Sequence, residues 1–167
     1  MKAIVAVDEK WGIGKKNGLL FDLPADMEYF KEKTINKVVV MGSNTLKSFP
    51  NGKPLKRRVN VVLYPGGEKR DDCFIVNDME ELKAELVKYD DADIFIIGGA
   101  MFYKTMLPYC DEVLVTKVKA DGNAEVFYEN LDEKENWQLT YESEPVITNG
   151  YEIKFTVYKN ASPEKFR

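Results

Sequence analysis

Two short stretches constrain this chain most: VVVMGSNTL (38–46) and IFIIGGAMF (94–102). Each passes from an unbroken apolar run through glycine into small or polar residues and then into a helical pattern. An apolar run of strand length with no polar alternation reads as a strand buried on both faces, which is the signature of a parallel sheet covered by helices. Lys2–Val7 (KAIVAV) shares that character, Arg58–Leu63 (RVNVVL) reads as a further strand, and Glu112–Val118 (EVLVTKV) alternates and is a strand as well. The predicted fold is α/β: a single domain over 1–167, with a mixed, mostly parallel central sheet of about eight strands and helices on both faces. The sheet is mixed because two late strands, Trp137–Glu142 and Tyr151–Tyr158, follow one another without a helix and can pair antiparallel. Residues 160–167 are expected to fray. In such sheets ligands sit beyond the carboxyl ends of the strands, and the turns at Gly12, Gly42 and Gly98-Gly99 all fall there.

The turn after the first strand opens the stretch GIGKKNGLLFDLPADMEYF (12–30). Pro24 suits a first helical turn. Helical spacing then sets Asp26 on one face with Met27 and Phe30. An acid in a first turn is common because it complements the helix dipole. The same acid beside a ring and a thioether also suits a pocket that holds a cationic or amide-like ligand. This stretch alone does not choose between the two.

Composition narrows the chemistry. There is no histidine, which removes Ser-His and Cys-His nucleophile pairs and histidine metal sites. Two distant cysteines, Cys73 and Cys110, assemble no zinc cluster and read as reduced thiols. No metal is expected. The net charge of −4, with no basic block, argues against nucleic acid as a partner. No apolar run is long enough to span a bilayer, and the N-terminus lacks a secretory pattern, so no membrane partner and a cytoplasmic location are expected. A monomer is the default. Whatever the chain catalyses must use carboxylates, Tyr, Lys, backbone groups or a cofactor.

The two strand–glycine–helix stretches each aim helix amides at strand ends, where they suit an anion, and glycine admits a ligand close to the backbone. Two such cradles fit a pyrophosphate-bridged dinucleotide, yet neither is GxGxxG, and a glycine there is commonly just a turn. Thr116 is an ordinary strand threonine or a polar contact. Arg58 is a surface charge or a carboxylate clamp. Tyr103 is more often a packing residue than a catalytic one.

Taken in order, AVDEKWGIGKKNG, LPADMEYFK, VVVMGSNT, PLKRRVNVVL, IIGGAMFYKTMLP and VLVTKV resemble dihydrofolate reductase, from Lys2 to about Tyr158. The resemblance implies NADPH-dependent reduction of dihydrofolate to tetrahydrofolate, a step of one-carbon metabolism, and binding of antifolate inhibitors. It implies that Asp26 hydrogen-bonds the pterin, that Thr116 joins that network, and that Phe21 and Leu19 stand at the catalytic loop. Ile4, Val5, Met27, Phe30, Phe49, Leu55, Arg58, Ile97 and Tyr103 correspond to substrate-binding positions, with Arg58 taking the α-carboxylate of the glutamate tail. Ala6, Ile13, Gly14 and Asn17 correspond to positions around the nicotinamide and its ribose. Gly42, Ser43, Asn44, Thr45, Tyr64, Gly98, Gly99, Ala100, Met101 and Phe102 correspond to positions along the pyrophosphate and adenosine. The turn from Gly12 to Leu23 corresponds to a loop that closes over the nicotinamide.

The chain departs from the family in two places. Leu20-Phe21 stands where Pro-Trp is usual, which removes an indole donor and loosens the entry to the helix. Ser43-Asn44 stand where the family often has Arg or Lys contacting the 2′-phosphate of NADPH, Tyr64-Pro65 occupies the next contact region, and Met101 sits where another arginine is often found. The expectation is NADPH with reduced preference and NADH partly accepted. The alternatives are a pyrimidine reductase of riboflavin synthesis, which shares the fold and needs no Asp26–Phe30–Arg58 set, and a catalytically weak pterin- or dinucleotide-binding protein.

Overall fold

The structure, a computed structural model, describes residues 1–15 and 18–166. Its strands are β1 (Lys2–Val7), β2 (Gly12–Gly14), β3 (Val38–Gly42), β4 (Val59–Leu63), β5 (Phe74–Val76), β6 (Ile94–Gly98), β7 (Glu112–Val118), β8 (Val126–Phe127), β9 (Trp137–Glu142), β10 (Val146–Thr148) and β11 (Tyr151–Asn160). Its helices are α1 (Pro24–Thr34), α2 (Ser43–Ser48), α3 (Met79–Leu86) and α4 (Ala100–Met106).

Nine of the strands make one sheet, in the order β10-β11-β7-β1-β6-β3-β4-β5, with β9 also paired to β11. From β7 to β5 all neighbours are parallel. β11 runs antiparallel to β7 along one edge, and takes β10 and then β9 along the other. The mixed sheet with helices on both faces is therefore as the sequence predicts. The remaining two strands, β2 and β8, form a small separate ribbon.

Side-chain alternation assigns the helices to faces. Val38 and Val40 point into the largest apolar cluster, with Leu82 and Leu86 of α3 and Phe102 and Met106 of α4. Val39 and Met41 point the other way, to Leu46 of α2. Ile4, Phe95 and Leu114 meet Tyr29 and Phe30 of α1 on that same second face. Both faces of β3 are thus covered, which is why its run is apolar without interruption.

Gly42 is the N-cap of α2, and no side chain caps it. Three local expectations change. β4 starts at Val59 rather than at Arg58. The loop between the late strands contains β10, whose three residues pair with the start of β11. The segment after Asn160 does not fray as far as Phe166: that ring is buried against Tyr109 with centroids 5.0 Å apart, and the Glu164 amide donates to the Pro108 carbonyl at 2.9 Å.

Candidate functional site

The carboxyl ends of β1, β3, β6 and β7 converge on one side of the sheet, and the candidate residues gather there. Ala6 of β1 and Thr116 of β7 are register partners. Thr116 lies on the same face as Leu114, toward α1, and its hydroxyl donates to Asp26 Oδ1 at 2.6 Å. Asp26 is half-buried in the first turn of α1. Burial pushes its carboxyl above the ordinary range, and the Thr116 hydrogen bond opposes that in part by favouring the anion.

The start of α1 has no side-chain cap on Leu23, and the strand β10 supplies what is missing: the Ala25 amide donates to Thr148 Oγ1 at 3.1 Å. Asn149 Nδ2 donates to the Asp22 carbonyl at 3.0 Å beside it. These bonds fix the turn that carries Asp26.

Two apolar clusters lie on the same face of the sheet as the carboxylate and wall that side. One joins Ile4 and Leu114 to Phe30 and Ile97, and the other joins Met41 and Leu46 to Phe49, Leu55 and Ile97. Ile97 belongs to both. Tyr29, one turn beyond Asp26, has its hydroxyl pushed up to about 12, by burial first and by the Asp26 charge second. The Tyr103 hydroxyl is raised further by burial, and it donates to the Ile4 carbonyl at 2.7 Å. Arg58 lies at the far end of the second wall. Its Nη1 donates to Thr34 Oγ1 at 3.2 Å and its Nε to the Lys56 carbonyl at 2.9 Å. Partial burial lowers its pKa from the ordinary guanidinium value.

The second cluster of candidates surrounds the two glycine turns. A Cβ on Gly42 would lie 3.9 Å from the Gly99 nitrogen, so the turns after β3 and β6 face each other. The Gly98-Gly99 bond is cis. Gly98 has φ of +136°, and a Cβ there would come within 3.1 Å of Thr45 Oγ1. The result is a notch beside the Thr45 hydroxyl and the Tyr103 ring, which any side chain at position 98 would crowd. Neither α2 nor α4 begins with a side-chain cap, whereas Asp78 caps α3. The uncapped first turns of α2 and α4 leave backbone donors at these glycines, which suits an anion such as a pyrophosphate.

Not every expected residue joins these clusters. Met27, Leu19 and Met101 are 62%, 83% and 80% exposed. The Val5 side chain points into the opposite cluster, behind the sheet. Phe21 is packed with Leu23, Val118 and Ile153, its ring 4.9 Å from that of Tyr151, and a Cβ on Gly122 would touch both it and Leu20 at 3.0 Å. Ile13 and Gly14 are in β2, and Ala100 and Phe102 start α4. Asn17 lies outside the described residues.

The sequence reading missed three participants. Thr148 carries no local signal. Neither does Tyr151. Asp8 is an acid at the end of a buried strand, which is a signal; it is 3% exposed and accepts from the amides of Lys10, Gly12 and Gly122 at 2.7–3.0 Å. It ties the segment leading to β2 to the turn after β7.

A mixed sheet with a paired carboxylate beside one pair of strand ends and glycine turns at the next pair marks the class: an α/β protein with its ligand site beyond the carboxyl ends of its parallel strands. The family model of dihydrofolate reductase matches residues 1–160, and the chain belongs to the dihydrofolate reductase family. It is 29% identical over 165 residues to the dihydrofolate reductase of Bacillus subtilis (strain 168), covering 97% of this chain and 95% of that one. It is 34% identical to the viral dihydrofolate reductase of Saimiriine herpesvirus 2 (strain 488), covering 95% and 84%. The solved structure of dihydrofolate reductase from Enterococcus faecalis, complexed with NADP(H) and RAB-propyl, superposes with a TM-score of 0.83 at 27% identity and covers 95% of each chain. The pyrimidine reductase alternative is not favoured. Among the described residues no helix is long and apolar enough to cross a membrane.

Proposed function

We propose that this protein reduces 7,8-dihydrofolate to tetrahydrofolate with NADPH, and that Asp26 is the residue on which substrate recognition turns. The observation that carries this is the Asp26–Thr116 bond of 2.6 Å, set beside two apolar walls and next to the Gly98 notch. When bound, NADPH supplies the hydride, delivered from nicotinamide C4 to pterin C6.

The chain's residues do the rest. Asp26 accepts from the 2-amino group and ring N3 of the pterin, and Thr116 holds the carboxylate in orientation. The carbonyls of β1 and β6 line the pocket floor. Phe30, Ile97, Phe49 and Leu55 bury the pterin and p-aminobenzoyl rings, which excludes water and strengthens the polar contacts. Asp26 meets the end of the pterin away from N5, so the proton for N5 arrives through water. Arg58 takes the α-carboxylate of the glutamate tail. Thr45 and the amides from Gly98 to Phe102 hold the pyrophosphate, with Gly42 opposite. Phe21 closes the loop against Tyr151 without contributing a donor to the pterin.

All these residues belong to one α/β domain, and the enzyme is taken to act as a monomer. Its relatives in bacteria support a cytoplasmic location. Antifolates are taken as inhibitors of the same pocket. The test is the loss of reduced-cofactor absorbance when dihydrofolate is added to purified protein. Dihydrofolate-dependent loss is expected. Its absence, with tight antifolate binding retained, would instead establish a binding protein that does not turn over.

A further inference from the structure

The order of the strands lays out the long axis of the dinucleotide. The Asp26–Thr116 site is at the ends of β1 and β7, the notch is at the ends of β6 and β3, and the next strand outward is β4. From β1 to β4 is three strand spacings, roughly 14 Å, the scale of an extended dinucleotide. With nicotinamide beside the pterin pocket and pyrophosphate in the notch, the adenosine ribose lies at the end of β4.

Tyr64 directly follows β4, and it is a built position. Its amide donates to the Val76 carbonyl at 2.7 Å, and its carbonyl accepts from Asn77 Nδ2 and from the Gly67 amide, each at 2.9 Å. Its ring rests on Gly67, where a Cβ would lie 2.5 Å from ring carbon Cγ. Lys47, in the last turn of α2, sets its Nζ over that ring, 4.8 Å from the centroid. Among the described residues no carboxylate pairs with Lys47. The other cations near β5 are engaged: Arg70 grips Asp72 and the Gly52 carbonyl, and Lys69 binds the Ile75 carbonyl and Glu81.

We propose that Lys47, held over Tyr64, receives the 2′-phosphate of NADPH and sets the choice of NADPH over NADH. The proposal rests on the reading of the chain as an NADPH-dependent reductase. It also revises an expectation from the sequence. The cations missing at Ser43, Asn44 and Met101 have a substitute that approaches from the last turn of α2, with the Tyr64 ring limiting the freedom of a long side chain and leaving its charge solvated.

The test is equilibrium binding by calorimetry, for the unmodified protein, Lys47→Met and Lys47→Arg. The probes are NADPH, NADH, adenosine 2′,5′-bisphosphate and adenosine 5′-monophosphate. Lys47→Met is expected to weaken NADPH and the bisphosphate about tenfold, as for one charge-assisted hydrogen bond, and to leave NADH and the monophosphate within about twofold. Lys47→Arg keeps the preference. Raising salt weakens NADPH binding less in Lys47→Met than in the unmodified protein. If Lys47→Met preserves the ratio of NADPH to NADH affinity while the unmodified protein reduces dihydrofolate, the role of Lys47 is overturned and the reductase reading stands. An unmodified protein that binds neither dinucleotide overturns both.

Discussion

The amide of Ala25 donates to Thr148 Oγ1 at 3.1 Å, across 123 residues of chain. One residue further on is Asp26, so a strand near the end of the sequence anchors the carboxylate near its start. Thr148→Val keeps the shape and removes the acceptor. Leaving a part-buried amide unpaired lowers stability by about 1–2 kcal/mol. Denaturant unfolding checks the loss, and a matching fall in kcat/KM for dihydrofolate checks that the anchor serves Asp26.

Asp26→Asn separates function from stability. Turnover at neutral pH falls at least about a hundredfold, measured as dihydrofolate-dependent NADPH oxidation. Stability moves the other way. Burial raises the Asp26 pKa in the folded state, so its stabilising contribution is present below the unfolded pKa and is lost as pH rises through the folded one. Removing the charge therefore raises the melting temperature at neutral pH, and the gain vanishes in acid. An unchanged or lower melting temperature at pH 7 would contradict the buried-charge account.

Thr116→Val removes the donor that favours the Asp26 anion, while burial remains. The titration midpoint of the Asp26 carboxyl, followed by carbon NMR of labelled protein, moves upward. A downward move would mean that the hydroxyl does not stabilise the carboxylate.

Arg58→Gln keeps length and polarity but not charge or a bidentate fork. The KM for dihydrofolate rises about tenfold or more, as expected for loss of a charge-assisted carboxylate contact. A dihydropterin without the glutamate tail is reduced by the variant and the unmodified protein alike. A parallel loss on both substrates would place Arg58 in the architecture of the Thr34–Lys56 corner rather than in tail recognition.

What the sequence made legible follows from how each element is stabilised. β3, β6 and β1 are buried on both faces, and double burial imprints a continuous apolar run that can be read without any partner. β2, β8 and β10 have two or three residues each and exist because of the strands they pair with. Exposed Val126 and Phe127 carry no periodicity to find. The site divides in the same way. The glycine turns at 42 and 98–99 are local and visible. The Asp26–Thr116 pair spans 90 residues and entered only through family resemblance. Ala25–Thr148 and Lys47–Tyr64 had neither a local pattern nor a resemblance to mark them, since each depends on where the sheet brings distant segments together. Phe166 was lost for a related reason: a single ring beyond the last strand has no neighbours in sequence to announce its burial.

Ile97 carries a consequence for selection under drug. Its side chain belongs to the wall with Phe30 and also to the wall with Leu55. A mutation at Ile97 that reshapes the pocket against an antifolate reshapes both walls at once, and on the proposed function the natural substrate leans on the same two surfaces. Escape at this position weakens the cell's own metabolism along with the inhibitor. Resistant lineages are therefore channelled toward positions that touch one wall only, with Phe30 and Leu55 the first places to look in a resistance-selection experiment.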